Sequence, residues 1–322
     1  MAKTDFVELP GGIPVPILYE DRSVLAIDKP AGWMLGPEDE EHARRNLHLG
    51  LTAGIDAGEW WARCRNLKYI RFIHRLDAPT TGILLMAKSP GVIPPFTRLF
   101  ASRSIGKVYL AITDGIPPQA EWRCDLPLGP EPGYPGRHQV DPVEGKEAST
   151  LFKVLGTRGT HALVEARPLS GRTHQIRLHL LAAGCPVTGD ILYGRHHPAG
   201  LGLRAVEMTY QDPFTRKPVR IRAPREGFSE AFGFAKNQVL IPPGTAPVNP
   251  PKPGAQPIPV RPQPTGPGSP TAITKNPAQP KPVPGLKSGT ESRTPQPRAP
   301  AARKPISPPA TSPPSRPGPR GR

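Results

Sequence analysis

Residues 73–89 read IHRLDAPTTGILLMAKS and place a His, an Arg and an Asp between two apolar runs. The runs YIRFIHRL and GILLMAK have the length and composition of strands. Pro79 and Gly82 between them indicate a turn. We therefore expect Asp77 in a loop at the end of a strand.

The segments on either side of this stretch alternate between strand and helix patterns. Two apolar runs around residues 20–22 predict a hairpin that ends in a Lys-Pro-Ala-Gly turn, and residues 38–68 predict an irregular segment with one short helix. The remaining predicted elements are a helix in 94–104, a strand at 106–115, a hairpin in 149–169 that turns at 157–160, a helix in 170–184 capped by Ser170 and ended by Gly184, and a hairpin in 203–224. Strands dominate, so the predicted class is α+β with a largely antiparallel sheet.

Composition separates a folded part from a tail. The chain has 322 residues, 48 prolines and a net charge of +16. Residues 241–322 hold 26 of the prolines and +11 of the charge, and they contain no Phe, Trp or Tyr. Such a segment cannot build a packed core. We predict an N-terminal extension over 1–14, one domain over 15–237, and a disordered, basic, Pro-rich tail over 238–322. The tail would either attract phosphates or simply solubilise the protein.

Several classes of protein are excluded by what the sequence lacks. Cys64, Cys124 and Cys185 are odd in number and far apart, which fits neither a disulfide framework nor a zinc site. The sequence has no apolar run long enough to span a membrane and no secretory signal pattern. We therefore expect a cytoplasmic protein. No dinucleotide fingerprint, phosphate-binding glycine loop or metal-ligand cluster is present, so neither a cofactor nor a metal is expected.

Four segments resemble, in order and spacing, the signature blocks of RluA-type pseudouridine synthases: 17–33, 73–89, 106–115 and 170–194. The resemblance covers about residues 15–225. It implies the pseudouridine synthase fold, a mixed and largely antiparallel sheet with flanking helices and a central catalytic cleft. It also implies an isomerase that converts uridine to pseudouridine in ribosomal or transfer RNA, without a cofactor. We expect it to act as a monomer.

The same resemblance assigns roles to particular residues. Asp77 would be the catalytic carboxylate, acting either as a nucleophile at C1′ or as a base at C2′. Arg177 would keep that carboxylate ionised, and Tyr109 would pack its ring against the target uracil. Arg75 would hold the nucleotide that is flipped out of the RNA stack. Three further residues are expected either as phosphate contacts or as solvated surface groups: Lys107, Arg172 and His174.

Two residues near these blocks are expected to have supporting roles. His74 would stabilise its loop by hydrogen bonding and stays outside the catalytic set. Lys29 is expected as a solvated residue in a β-turn, with an approach to the RNA backbone as the alternative. Where the family usually has Arg and Ser, this chain has Ala78 and Thr81. The change at Ala78 removes a cation that could touch phosphate and so bears on RNA affinity or target.

Two rival functions belong to other classes. A non-catalytic RNA-binding or RNA-chaperone protein on the same fold would not need the chemistry of Asp77. A nucleoside glycosidase would normally need two carboxylates that flank the bond. Asp114 and Asp190 are the nearest further acids in the signature blocks, and neither is matched to the site.

Overall fold

The computed structural model describes residues 2–36 and 45–234. Thirteen strands, five α-helices and one short 3-10 helix (Pro90–Val92) are present in these residues. The strands are β1 (Phe6–Leu9), β2 (Ile13–Glu20), β3 (Val24–Lys29), β4 (Arg71–Phe72), β5 (Thr81–Ala87), β6 (Gly106–Asp114), β7 (Glu121–Cys124), β8 (Leu128–Pro130), β9 (His138–Val140), β10 (Thr150–Arg158), β11 (His161–Pro168), β12 (Leu203–Gln211) and β13 (Pro218–Arg222). The helices are α1 (Leu47–Asp56), α2 (Trp60–Arg63), α3 (Ile93–Ala101), α4 (Gln175–Ala182) and α5 (Phe228–Ala231).

Eleven of the described strands form one sheet in the order β1-β2-β3-β5-β12-β6-β11-β10-β7, with β13 paired to β12 and β4 paired to β5. Every pair is antiparallel except β5 with β12. Strands β8 and β9 form a separate hairpin. The predicted α+β class with a largely antiparallel sheet is confirmed.

The parallel contact between β5 and β12 lies at the middle of the sheet and fixes where the Asp77 loop ends. Gly82 pairs with Ala205 there and has a φ of +104°. A Cβ atom at Gly82 would lie 2.1 Å from the carbonyl oxygen of Ala205. Only glycine combines this φ with this close backbone approach. The loop that carries Asp77 therefore enters the sheet at one defined point.

Apolar side chains pack on both sides of this central region. One buried cluster joins β1, β2, β3 and β5 to the helices α1 to α3, and it includes Trp61 and Phe96. A second cluster packs α4 against β6, β10 and β11 through Ile176 and Leu180. Helix α4 is thereby held on the sheet beside the loop that precedes β5. None of the helices in the described part of the chain is long and apolar enough to cross a bilayer.

One predicted strand and one predicted helix have different ends in the structure. The strand predicted up to Leu76 stops at Phe72, because the imidazole of His74 replaces a backbone carbonyl as the acceptor for the N–H of Leu85 at 3.0 Å. The helix predicted to be capped by Ser170 begins at Gln175 instead. The hydroxyl of Ser170 accepts the N–H of Ser149 and donates to the side chain of Gln175, so it does not cap the helix.

Other local predictions have mixed outcomes. The turns at residues 20–22 and 157–160 are confirmed, as is the end of α4 at Gly184, which has a φ of +75°. The region predicted to contain one short helix contains both α1 and α2. Part of that region, residues 38–44, lies outside the described residues, and so does the predicted tail. Within the predicted extension 1–14, β1 pairs with β2 and buries Val7 and Leu9, so these residues pack as part of the sheet.

Candidate active site

A buried lysine sets the shape of the loop that carries Asp77. Lys29 lies at the end of β3, its side chain is fully buried, and its ammonium group donates to the carbonyls of Pro30, Ala78 and Thr80 at 3.0, 2.8 and 2.9 Å. Burial lowers the pKa of Lys29 to about 7, although the charge of Asp77 acts in the opposite direction. The expectation of a solvated lysine was wrong, because three carbonyls converge where its side chain ends.

Asp77 forms an ion pair with an arginine that is distant from it in the sequence. The Nη1 atom of Arg177 donates to Oδ2 of Asp77 at 3.1 Å, across a separation of 100 residues. The side chain of Arg177 is 2% exposed and that of Asp77 is 16% exposed. The predicted partners are therefore together, and the carboxylate retains access to solvent.

The same guanidinium is held more tightly by a second carboxylate. Nε and Nη2 of Arg177 donate to Oδ2 and Oδ1 of Asp190, both at 2.7 Å, and the side chain of Asp190 is completely buried. Burial acts to lower the pKa of Arg177, but the hydrogen bonds and charge of Asp190, together with Asp77, raise it above its ordinary value. This two-point contact fixes the plane of the guanidinium, which a single contact cannot do.

The start of α4 is anchored by the side chain of Gln175. Its amide nitrogen donates to the carbonyl of Ser149 and to the hydroxyl of Thr150, both at 2.9 Å, and its oxygen accepts the N–H of Arg172 at 2.9 Å. These bonds tie the first turn of the helix to the beginning of β10. The position of Arg177 two residues later is therefore set by the sheet as well as by Asp190.

His174 immediately precedes α4 and faces the carboxylate. Its backbone has a φ of +56°, its Nε2 lies 3.8 Å from Oδ2 of Asp77, and its Nδ1 lies 2.7 Å from Oη of Tyr193. The side chain is only 9% exposed. Burial lowers the pKa of His174 to about 4, opposed by Asp77 and assisted by Arg177. This surrounding places the imidazole beside the carboxylate rather than on the open surface.

Tyr109 and Lys107 project from the same face of β6, because alternate residues of a strand share a face. Burial raises the pKa of Tyr109, and the nearby charge of Asp77 adds to this, so the phenol is neutral near pH 7. The ammonium group of Lys107 donates to the carbonyl of Ser170 at 2.8 Å, and burial lowers its pKa to about 8. Lys107 thus links β6 to the segment that leads into α4.

A cavity of about 270 Å³ joins these groups. Its lining includes all seven residues singled out from the sequence: Arg75, Asp77, Lys107, Tyr109, Arg172, His174 and Arg177. Its size lies just below the range typical of ligand pockets. Arg75 and Arg172 are exposed, and Nε of Arg172 donates to the carbonyl of Glu147 at 2.9 Å. The seven residues therefore surround one space.

Sequence reasoning missed several residues that build the site. Asp190 and Tyr193 lie in the last signature block, but nothing in their spacing predicts which side chains they contact. Asp114 is not in this network, since it accepts a hydrogen bond from Thr188 at 2.7 Å and is not among the residues that line the cavity. For Lys29 the sequence did offer a signal, since a charged residue at the end of an apolar strand can be buried with that strand. Residues 2–36 and 45–234 contain no group of three or more His, Cys, Asp or Glu that could hold a metal ion.

Comparison with known proteins identifies the family. Residues 23–182 match the family model described as RNA pseudouridylate synthase. A relative from Zymomonas mobilis, described as an uncharacterized RNA pseudouridine synthase, is 30% identical over 226 residues, which cover 68% of this chain and 97% of the relative. The ribosomal large subunit pseudouridine synthase C of Vibrio vulnificus is 30% identical over 222 residues, which cover 65% of each chain.

Further relatives and one solved structure agree with this. An uncharacterized RNA pseudouridine synthase of Synechocystis is 33% identical over 189 residues, 56% of this chain and 55% of the relative. The chain therefore spans between about half and two thirds of the length of several curated relatives. The structure of human RNA pseudouridylate synthase domain containing 1 has a TM-score of 0.52 and 25% identity, with 65% of this chain and 83% of that chain covered. This chain belongs to the RluA-type family of RNA pseudouridine synthases.

Proposed function

We propose that this protein isomerises one or more uridines in ribosomal or transfer RNA to pseudouridine, with Asp77 as the catalytic carboxylate. The observation that carries the proposal is the pairing of Asp77 with Arg177 at the wall of a cavity of about 270 Å³. Relatives with about 30% identity are named for the large ribosomal subunit. Large-subunit ribosomal RNA is therefore the first substrate to test.

The reaction breaks the N1–C1′ bond of uridine, turns the bound uracil and rejoins it through C5, with loss of the C5 proton and gain of a proton at N1. No electrons and no water are consumed. A single carboxylate suffices in either of the two roles, as a nucleophile that forms and then releases a bond to C1′, or as a base that removes and returns the proton at C2′. Both roles need Asp77 ionised.

The contacts of Asp77 leave one of its two oxygens for the substrate. Arg177 donates to Oδ2, and the imidazole of His174 also lies nearest to Oδ2. Among the described residues, none donates a hydrogen bond to Oδ1. Oδ1 is thus the oxygen that would reach C1′ or the C2′ proton, while Oδ2 holds the carboxylate in position.

The other lining residues support substrate binding. A uridine in a helix must leave the stack before its glycosidic bond can be reached, at a cost of a few kcal/mol. The ring of Tyr109 would pack on the flipped uracil, and the exposed guanidinium of Arg75 would support the vacated position. Arg172 and Lys107 would contact phosphate. His174 would lie beside the Asp77 carboxylate and help to hold it in position. We retain monomeric and cytoplasmic states as predictions.

The test is to incubate the purified full-length protein with ribosomal and transfer RNA from a strain lacking the gene and to map pseudouridine. Wild type and Asp56→Asn, which makes the same chemical change at an exposed position of α1, are expected to restore the same sites. Asp77→Asn is expected to restore none. Unchanged maps with the wild-type protein would contradict the proposal.

Two further readouts separate the rival functions. RNA binding that supports the same cellular phenotype with Asp77→Asn as with wild type would favour a non-catalytic RNA-binding protein. Release of free uracil from RNA would favour a glycosidase. The structure places Asp190 in a buried pair with Arg177, so it does not supply the second carboxylate that such a glycosidase needs.

A further inference from the structure

Tyr193 connects three parts of the site although its own hydroxyl does not touch Asp77. The backbone N–H of His138, at the start of β9, donates to Oη of Tyr193 at 2.9 Å. The same Oη lies 2.7 Å from Nδ1 of His174, and the guanidinium of Arg177 lies 5.0 Å from the centre of the Tyr193 ring. Tyr193 is thus in contact with both residues that flank Oδ2 of Asp77.

The direction of the bond between Tyr193 and His174 follows from their other partners. A backbone N–H can only donate, so Oη accepts from His138. Burial raises the pKa of Tyr193, so the hydroxyl keeps its own proton. Among the described residues, Nδ1 of His174 is the acceptor within reach of that proton. If Nδ1 donated instead, the hydroxyl would accept twice and its proton would have no protein partner.

The remaining ring proton of His174 is then placed by elimination. Burial keeps the imidazole neutral near pH 7, so it carries one proton. With Nδ1 occupied as an acceptor, that proton lies on Nε2, which is the nitrogen 3.8 Å from Oδ2 of Asp77. This tautomer directs the positive end of an N–H dipole at the carboxylate. The opposite tautomer would direct a lone pair at it.

We infer that Tyr193 is a positioning residue that selects the Nε2–H tautomer of His174 and thereby orients an N–H dipole toward the Asp77 carboxylate. The consequence for catalysis rests on the proposed function, but the tautomer does not. The charged and titratable groups around His174 are Asp77, Arg177, Asp190 and His138. Of the described residues, Tyr193 is the one that hydrogen-bonds Nδ1, and the Asp77 carboxylate 3.8 Å from Nε2 favours the same tautomer.

The test is nitrogen NMR of the full-length protein labelled at its nine histidines, without RNA. The signals of His174 are assigned by their loss in His174→Gln. In wild type we expect Nδ1 unprotonated and Nε2 protonated. Tyr193→Phe is expected to populate the other tautomer, whereas Tyr134→Phe, which removes an exposed hydroxyl without a hydrogen bond to any described residue, is expected to leave the spectrum unchanged.

A kinetic readout accompanies the spectra. Loss of one hydrogen bond that acts through His174 is expected to lower kcat about 3- to 10-fold in Tyr193→Phe, with KM changed less than about twofold. Tyr134→Phe is expected to keep both constants.

Three outcomes would overturn the inference: a wild-type spectrum with Nδ1 protonated, a Tyr193→Phe spectrum with the tautomer unchanged, or a loss that falls on KM alone. The first needs no Tyr193 variant and holds even if Tyr193→Phe does not fold. The expected spectrum from a wild-type protein that makes no pseudouridine would contradict the proposed function and leave the tautomer assignment standing.

Discussion

Arg177 binds two carboxylates, and the structure predicts that one supports stability and the other supports chemistry. Asp190 is completely buried and takes two hydrogen bonds of 2.7 Å from the guanidinium. Asp77 is partly exposed and takes one hydrogen bond of 3.1 Å. The pair of variants Asp190→Asn and Asp77→Asn makes the same chemical change at the two ends of this network.

The expected magnitudes differ because the environments differ. Asp190→Asn removes one partner of a buried ion pair and turns an amide N–H toward a guanidinium N–H, so we expect a loss of about 3–5 kcal/mol in the free energy of unfolding. Asp77→Asn leaves Arg177 paired with Asp190. In wild type, the Coulomb attraction between Asp77 and Arg177 at 3.1 Å is about 5 kcal/mol at an effective dielectric constant of about 20, but the cost of desolvating the two charges offsets most of this. We expect a loss of about 1 kcal/mol or less.

Urea denaturation measures both losses. With a slope of about 2–3 kcal/mol/M, the midpoint should fall by about 1–2.5 M in Asp190→Asn and by less than about 0.5 M in Asp77→Asn. Pseudouridine formation should show the reverse order, with none in Asp77→Asn and a reduced rate in the folded fraction of Asp190→Asn. Equal midpoints for the two variants, or a wild-type midpoint for Asp190→Asn, would refute this division of roles.

Three further predictions concern the surrounding residues. The pKa of Lys29 is about 7 in the folded protein and about 10.4 in an unfolded chain, so unfolding takes up a proton between these pH values and the free energy of unfolding rises with pH across that window. In urea titrations the stability advantage of wild type over Lys29→Met should therefore grow from pH 7 to pH 9. A difference that stays constant with pH would contradict this. His74→Phe keeps the stack on Phe100 but leaves the N–H of Leu85 without its acceptor, which should lower the unfolding free energy by about 1–3 kcal/mol; an unchanged urea midpoint would speak against it. Arg75→Ala should slow modification of a uridine in a stem more than modification of the same uridine in a single strand, and equal slowing of the two RNAs would argue against a role in base flipping.

The sequence was sufficient for the elements with local signals. Alternating apolar residues and turn residues located β2, β3, β5, β6 and the hairpins, and the helix pattern located α3. Local signals failed where a side chain took the place of a backbone partner. His74 ends β4 by accepting from Leu85, and Ser170 bonds to Gln175 rather than capping α4. Neither of these side-chain hydrogen bonds can be predicted from the spacing of apolar residues, because the partners are brought together only in the folded sheet.

The site was predicted in part for the same reason. Asp77 and Arg177 were paired through a family resemblance, whereas their separation of 100 residues gives no local signal of contact. The network behind them was missed. Lys29 reads as a surface residue because lysines are seldom buried, and its burial depends on three carbonyls that only the completed loop presents. From the sequence, Asp190 is an ordinary acidic loop residue, and only the structure shows its contact with the guanidinium of Arg177.

The arrangement of the two acids around Arg177 keeps the guanidinium in place during the proposed reaction. In either chemical role Asp77 loses its negative charge for part of the cycle, as an ester or as a neutral acid. An arginine held by Asp77 alone would lose its partner at that moment and would be free to move. The two bonds to Asp190 hold the guanidinium whatever the state of Asp77, so the arginine is already in place when the carboxylate leaves the sugar or returns the proton. Because such a preorganised cation needs no rearrangement during reaction, its stabilisation of the departing carboxylate is fully available at that step.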